Sequence, residues 1–216
     1  IQHWAQPQHK DWYAYQGNMA HAQAAVAESL CNRTGLEFEP ADIAMTTGAF
    51  GAFAATLATL VDPGDEVIYV SPPWFFYAPM IAFWGGVPVQ VNVKANDFDL
   101  DLEAIAAAIT PRTRAIIINS PNNPTGRIYP PATLDALGGI LRAGSKRIGR
   151  AIYLISDESY NRIVFDGRAF PTPVAYYHAS LLLYTYGKTL LAPAQRLGYI
   201  AISPSIEERD SLRGAL

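Results

Sequence analysis

Disulfide chemistry has no place within this sequence, because it holds a single cysteine, Cys31. That residue sits in a helical-looking stretch with Ala and Leu nearby, and is expected to be a buried, inert thiol. Charge is also scarce: charged residues make up 16% of the chain and the formal net charge is −3. No block of like charges stands out, so nothing recommends a nucleic-acid or polyanion partner. Long apolar runs are missing as well. The longest, residues 49–61, falls short of the roughly 20 residues a membrane helix needs, and no membrane role is expected. The start, IQHWAQPQHK, is polar and lacks the basic and apolar regions of a secretory signal. A cytoplasmic protein is therefore the expectation. The chain opens on Ile rather than Met, which leads us to expect further residues upstream.

Half of the 216 residues are hydrophobic, enough for a sizeable core in one large domain or two small ones. Short β-branched runs at 43–47, 67–70, 87–91, 115–119, 152–156, 181–185 and 199–203 read as strands. Several are apolar nearly throughout, as in a sheet covered on both faces. Helical patterns lie between them. Residues 49–61 follow a glycine turn and stop at Asp62-Pro63-Gly64; 101–109 open on an aspartate cap; 131–142 open on proline. Alternation of this kind predicts an α/β fold with a mainly parallel sheet. Ligands of open α/β sheets bind beyond the carboxyl ends of the strands. The loops found there are TTGAF, SPPWFFY, SPNNPTG, SDESY and YGKTLLAPAQR.

Lys188 follows the run 181–185 inside Gly-Lys-Thr. A phosphate-binding P-loop would need glycine six positions before the lysine, and Leu182 stands there. A solvated surface lysine is the plain alternative. Against it, the surrounding sequence is largely uncharged, and the nearest cation is Arg196 at the start of the next strand. Desolvation and a neighbouring cation both favour a neutral amine, the form that attacks a carbonyl. Arg196 and the Thr185 hydroxyl could clamp a phosphate. Gly48, Ala49 and Phe50 open the helix after the first strand, where free N–H groups and the helix dipole attract anions. A dinucleotide fingerprint is not supported, since GxGxxG and its distal acid are missing. Asp157, at the end of a nearly apolar strand, is either a cap or the partner of a buried cation. Tyr160 could point back to the same place. Asn123 could equally be a turn residue, and Trp74 ordinary core.

Taken together, NNPTG at 122–126, SDESY at 156–160 and GKTLLAPAQR at 187–196 resemble the class I/II aminotransferase family of fold-type I pyridoxal-5′-phosphate (PLP) enzymes. The order and spacing agree, DPGDEV at 62–67 and the aromatic loop included, over roughly residues 12–203. The resemblance implies a three-layer α/β/α domain around a mainly parallel seven-stranded sheet, with residues 1–216 forming the PLP-binding large domain. It implies a Schiff base at Lys188, which would also shuttle the substrate proton, and Asp157 paired with the pyridine nitrogen. Asn123 and Tyr160 would bond the phenolic oxygen and Trp74 would stack on the ring. Gly48, Ala49, Phe50, Thr185 and Arg196 would hold the phosphate. No metal is implied.

Amino-acid and 2-oxo-acid substrates and a homodimer in the full-length form are further implications. Three departures accompany the likeness. Thr185-Tyr186-Gly187-Lys188 replaces the frequent Ser-x-Ser-Lys. The family's substrate-covering N-terminal segment and its small C-terminal domain, with the arginine that grips the substrate carboxylate, are not in the sequence. A family tyrosine that reaches the partner's phosphate falls nearest to Trp12, with Tyr13 and Tyr15 close by. The same scaffold resembles carbon–sulfur β-lyases and cyclopropane-forming synthases, although lyase relatives tend to carry histidine where Tyr160 stands. A cofactor-binding module without turnover is the third reading. Its regulator version would need a DNA-binding segment, and no basic helix-turn-helix pattern is present.

Overall fold

A computed structural model of the chain describes residues 6–15, 17–95 and 97–216. Seven strands form one sheet: β1 (Ile43–Thr46), β2 (Glu66–Ser71), β3 (Val87–Asn92), β4 (Thr113–Asn119), β5 (Tyr153–Asp157), β6 (Ser180–Thr185) and β7 (Gly198–Ile202). Their order is β1-β7-β6-β5-β4-β2-β3. Every strand expected from the sequence is present, with ends displaced by no more than a residue or two. β7 runs antiparallel to both neighbours, β1 and β6, while the remaining pairs are parallel. Chain order reverses between β2 and β4, so the loops that follow the parallel strands open a crevice at their carboxyl ends.

The helices are α1 (Ala20–Thr34), α2 (Gly48–Leu60), α3 (Tyr77–Phe83), α4 (Leu102–Ala108), α5 (Pro131–Ile148), α6 (Tyr186–Thr189) and α7 (Arg209–Ala215). Asp101 caps α4 as expected, its carboxylate accepting from the Ala104 N–H at 3.0 Å. The expected end of α5 at Arg142 is corrected: the helix continues to Ile148 and stops at Gly149, whose φ of +74° suits a residue without a side chain. Gly138, Gly139 and Gly144 weaken the helical signal there, yet Gly138 and Gly144 are where the helix packs closely. A Cβ on Gly144 would lie 3.0 Å from Ile109 and Ile152.

Both faces of the sheet are covered. Leu182, Tyr184, Tyr199 and Ala201 turn to one face and join Val26, Ala27 and Leu30 of α1. Leu181, Leu183, Ile200 and Ile202 turn to the other, into the main core with Ala52, Phe53 and Leu57 of α2. Two-sided burial explains why these strands read as unbroken apolar runs. Cys31 departs from its expectation: it is half-buried, with Sγ 3.3 Å from the carbonyl of Phe38 as donor. It lies at the margin of the smaller core, where α1 meets the chain leading to β1. Among the described residues, no helix is long and apolar enough to cross a membrane.

Candidate active site

A cavity of about 290 Å³ opens at the carboxyl ends of the parallel strands. It is bordered by Ala49, Phe50, Trp74, Asn123, Asp157, Tyr160, Thr185, Lys188 and Arg196. All of these were singled out in the sequence. Gly48 lies just behind, against Arg196 and Thr185.

The topology explains how Arg196 arrives there. Because β7 is antiparallel, its first residue lies level with the last residues of its neighbours: Gly198 pairs with Thr185 of β6 and with Thr46 of β1. Arg196 therefore stands at the same end of the sheet as the start of α2. Its Nη1 donates to the Pro193 carbonyl at 3.0 Å and its Nη2 to the Thr47 carbonyl at 3.3 Å. No carboxylate among the described residues neutralises it. Gly48 sits close by with φ of +81°, and a Cβ there would come within 2.8 Å of Arg196 Nη2. Glycine is thus required twice over, by conformation and by contact. No side chain caps α2, so its first N–H groups stay open to the cavity. A cation without a counter-ion and an uncapped helix N-terminus together make an anion site.

The expected Thr185 contribution is more constrained than the sequence suggested. Its hydroxyl oxygen accepts from Gly187 N–H at 3.2 Å as the cap of α6, and its proton goes to the Leu197 carbonyl at 3.3 Å. To donate to an anion, it must turn away from Leu197.

The opposite end of the cavity is a carboxylate. Asp157 closes β5, one residue beyond the strand end expected from the sequence, and is 5% exposed. Tyr77 Oη donates to its Oδ2 at 2.6 Å; Ser159 Oγ and Ser159 N–H donate to Oδ1 at 2.7 and 3.1 Å. Burial pushes the Asp157 carboxyl above the usual range, while the bonds from Ser159 and Tyr77 and the charge of Lys188 pull it back. The Tyr77 phenol is driven well up, first by its own burial and then by Asp157.

Asn119 links two loops. Its Nδ2 donates to the Asp157 carbonyl at 2.9 Å, and its Oδ1 accepts from Asn123 N–H at 2.6 Å. Tyr77, Asn119 and Ser159 were all missed in the sequence. Asn119 and Ser159 stand in or beside motifs that were singled out. Tyr77 closes the SPPWFFY loop, yet nothing local signalled its task, which depends on a residue eighty positions away.

Lys188 projects between the two ends, its Nζ 5.4 Å from the centre of the Tyr160 ring. The apolar surroundings expected for it are corrected: the residue is exposed at the cavity mouth. Trp74 has both roles considered for it, bordering the cavity while packing against Phe53 (ring centres 6.1 Å) and Tyr77 (5.6 Å). A second cavity of about 400 Å³ adjoins the first and shares Asn123 and Tyr160 with it. Trp12 stands elsewhere, edge-on to His9 with ring centres 5.4 Å apart, and Tyr13 and Tyr15 are exposed.

The donor set fits a phosphorylated pyridine aldehyde. One end of the cavity suits a dianion, the other offers a buried carboxylate to a protonated ring nitrogen, and an indole and a lysine border the space between.

Residues 8–213 match the sequence profile of the family described as aminotransferase class I and II. The chain is 37% identical over 194 residues to a probable aspartate/prephenate aminotransferase of Thermus aquaticus, covering 89% of this chain and 49% of that protein. Among solved structures, an amino transferase from Eubacterium rectale superimposes with a TM-score of 0.95 at 32% identity, covering 99% of this chain and 55% of that one. The aspartate aminotransferase of Thermus thermophilus with maleate gives 0.80 at 33% identity, covering 92% and 51%. The chain thus spans about half the length of the curated relatives it matches.

Proposed function

This chain belongs to the class I and II aminotransferase family, and from that premise we propose that it is the cofactor-holding part of a PLP-dependent aminotransferase that moves an amino group from an amino acid to a 2-oxo acid. One observation carries the reading: an anion site, a buried carboxylate and a lysine border the same 290 Å³ cavity. PLP, when bound, supplies an aldehyde that captures amines and a ring that withdraws electrons from the substrate Cα.

Each residue then has a task. The N–H groups of Gly48, Ala49 and Phe50, with Arg196 and a rotated Thr185 hydroxyl, bind the phosphate. Asp157, kept anionic by Tyr77 and Ser159, holds a proton on the ring nitrogen. Asn123 and Tyr160 orient the ring oxygen, and Trp74 shields one face of the ring from water. Lys188 Nζ holds the cofactor and then takes and returns the proton at the substrate Cα. We assign the grip on the substrate carboxylate to the part of the relatives that this chain does not match. The whole protein is proposed to be a homodimer, a reading supported by Leu190, Leu191 and Leu197, which are 63%, 89% and 44% exposed beside the site. Sedimentation of the whole protein at rising concentration checks it, and a persistent monomer would count against it.

The test is an absorbance spectrum of the chain with added PLP. A visible band is expected that Lys188→Ala abolishes while the fold persists by circular dichroism. An undiminished band in Lys188→Ala would overturn the assignment. Amino acids added next separate two cases: bleaching of the band marks amino-group transfer within this chain, and an inert band marks binding without turnover.

A further inference from the structure

Two adjacent carboxylates leave the end of β5 and face opposite sides of the sheet, as successive strand residues do. Asp157 borders the cavity. Glu158 is fully buried on the other side, toward Arg33 of α1 and Tyr199 of β7, with Arg162 over the Tyr184 ring of β6 nearby.

Three donors converge on the Glu158 carboxylate. Thr172 Oγ1 and Ser156 Oγ donate to Oε1 at 2.6 and 3.2 Å, and Asn161 Nδ2 donates to Oε2 at 2.7 Å. All three partners are themselves buried. The remaining polar atom of that amide, Asn161 Oδ1, is buried with no hydrogen-bond partner. A buried acceptor without a donor is costly. Glu158 can supply one, because a carboxylic acid donates where a carboxylate can only accept. A side-chain amide exchanges its donor and acceptor ends by half a turn about its last bond, with almost no change in shape.

We propose that Glu158 and Asn161 form a proton-coupled amide switch behind the cavity, and that this switch positions Asp157 and Tyr160. With Glu158 ionised, Asn161 Nδ2 donates to it. With Glu158 protonated, the amide turns over: the Glu158 O–H donates to Asn161 Oδ1, and Nδ2 takes the place that Oδ1 left. Burial pushes the Glu158 carboxyl up to about 7, against the bonds from Thr172, Asn161 and Ser156 and the charge of Arg33, so both states are populated near neutral pH. Transmission is short. The Glu158 N–H is tied to the Leu183 carbonyl at 2.9 Å, and Asn161 N–H to the Glu158 carbonyl at 3.0 Å. These bonds tie residues 157–161 into one turn, so a change in the Glu158–Asn161 bond bears on Asp157 at one end and Tyr160 beside the other. Glu158 and Asn161 are positioning residues, since neither borders the cavity. Their effect on the cofactor rests on the function proposed above; the switch itself does not.

The first measurement uses the 216-residue chain without cofactor. The side-chain NH₂ signals of Asn161, assigned by their loss in Asn161→Ala, are followed by NMR between about pH 5 and about pH 9. They are expected to titrate with a midpoint near 7 in the wild type and to lie flat in Glu158→Gln. Signals that do not move in the wild type overturn the switch without any need for a variant to fold. The dissociation constant of PLP is then measured over the same range. It is expected to change by about threefold or more with the same midpoint in the wild type, and to lose that dependence in Glu158→Gln. A titrating Asn161 beside a pH-independent PLP constant overturns the positioning role. Absence of any Lys188-dependent binding overturns the functional reading instead, and the NMR result still decides the switch.

Discussion

Asp157 shows how a single buried side chain is kept ready for chemistry. Inside the protein an unaided carboxylate would take up a proton, and its carboxyl is indeed displaced upward by burial. Ser159 and Tyr77 oppose that displacement with three donated hydrogen bonds, and Tyr77 is the one donor that does not border the cavity. Tyr77→Phe keeps the ring against Phe53 and Trp74 and removes only the donor. A bond to a charged group is worth about 2 kcal/mol, so urea unfolding should show a loss of that order. The Asp157 carboxyl should rise further, and the pH below which PLP binding fades should move upward. A folded Tyr77→Phe protein whose acid limb stays in place would show that Tyr77 only packs.

On the scale of elements, Asp42 fastens α7 to the rest of the fold. It has no exposed surface. Arg209 grips it with Nε on Oδ1 at 2.7 Å and Nη2 on Oδ2 at 2.6 Å, while Arg213 adds Nε and Nη2 on Oδ1 at 3.0 and 2.9 Å. Burial raises the Asp42 carboxyl, but the bonds from Arg209, the Glu39 N–H and Arg213 outweigh it and hold it below the ordinary value. A depressed carboxyl stabilises the fold above its unfolded value of 3.8 and withdraws that stability as pH falls through its folded one. Asp42→Asn leaves two guanidinium groups beside a neutral amide, and breaking a buried pair in this way costs about 3–5 kcal/mol. Denaturant unfolding should register the loss, and hydrogen exchange should quicken first in α7. Unchanged protection of α7 would mean that packing of Leu212 alone holds the helix.

For the whole molecule, the buried carboxyls set opposite limits on pH stability. Glu158 rises from 4.5 to about 7, so its protonated form is favoured by folding. That contribution is fully present below 4.5 and is lost as pH rises through about 7. The span corresponds to about 3 kcal/mol. Asp42 acts in reverse at strong acid. Stability should therefore peak in mildly acidic solution and decline toward alkaline pH, and thermal unfolding of Glu158→Gln should lose most of that decline. The fold class and most of the strands were legible in the sequence because strands covered on both faces are apolar nearly throughout, while the exposed edge strand β3 was legible from its alternating valines. Nine residues bordering the cavity were legible because loops after parallel strands converge by topology, so their order along the chain stands in for their position. The C-terminal end of α5, the exposure of Lys188 and the tasks of Tyr77, Asn119 and Glu158 were settled by tertiary structure alone. Each depends on which distant atom lies within hydrogen-bonding or packing distance. The sequence by itself determined what gathers at the end of the sheet, through periodicity and order; only the folded chain decided which charges there are buried, which are paired and which stay open to a ligand, because burial and pairing act across space and leave no trace in local spacing.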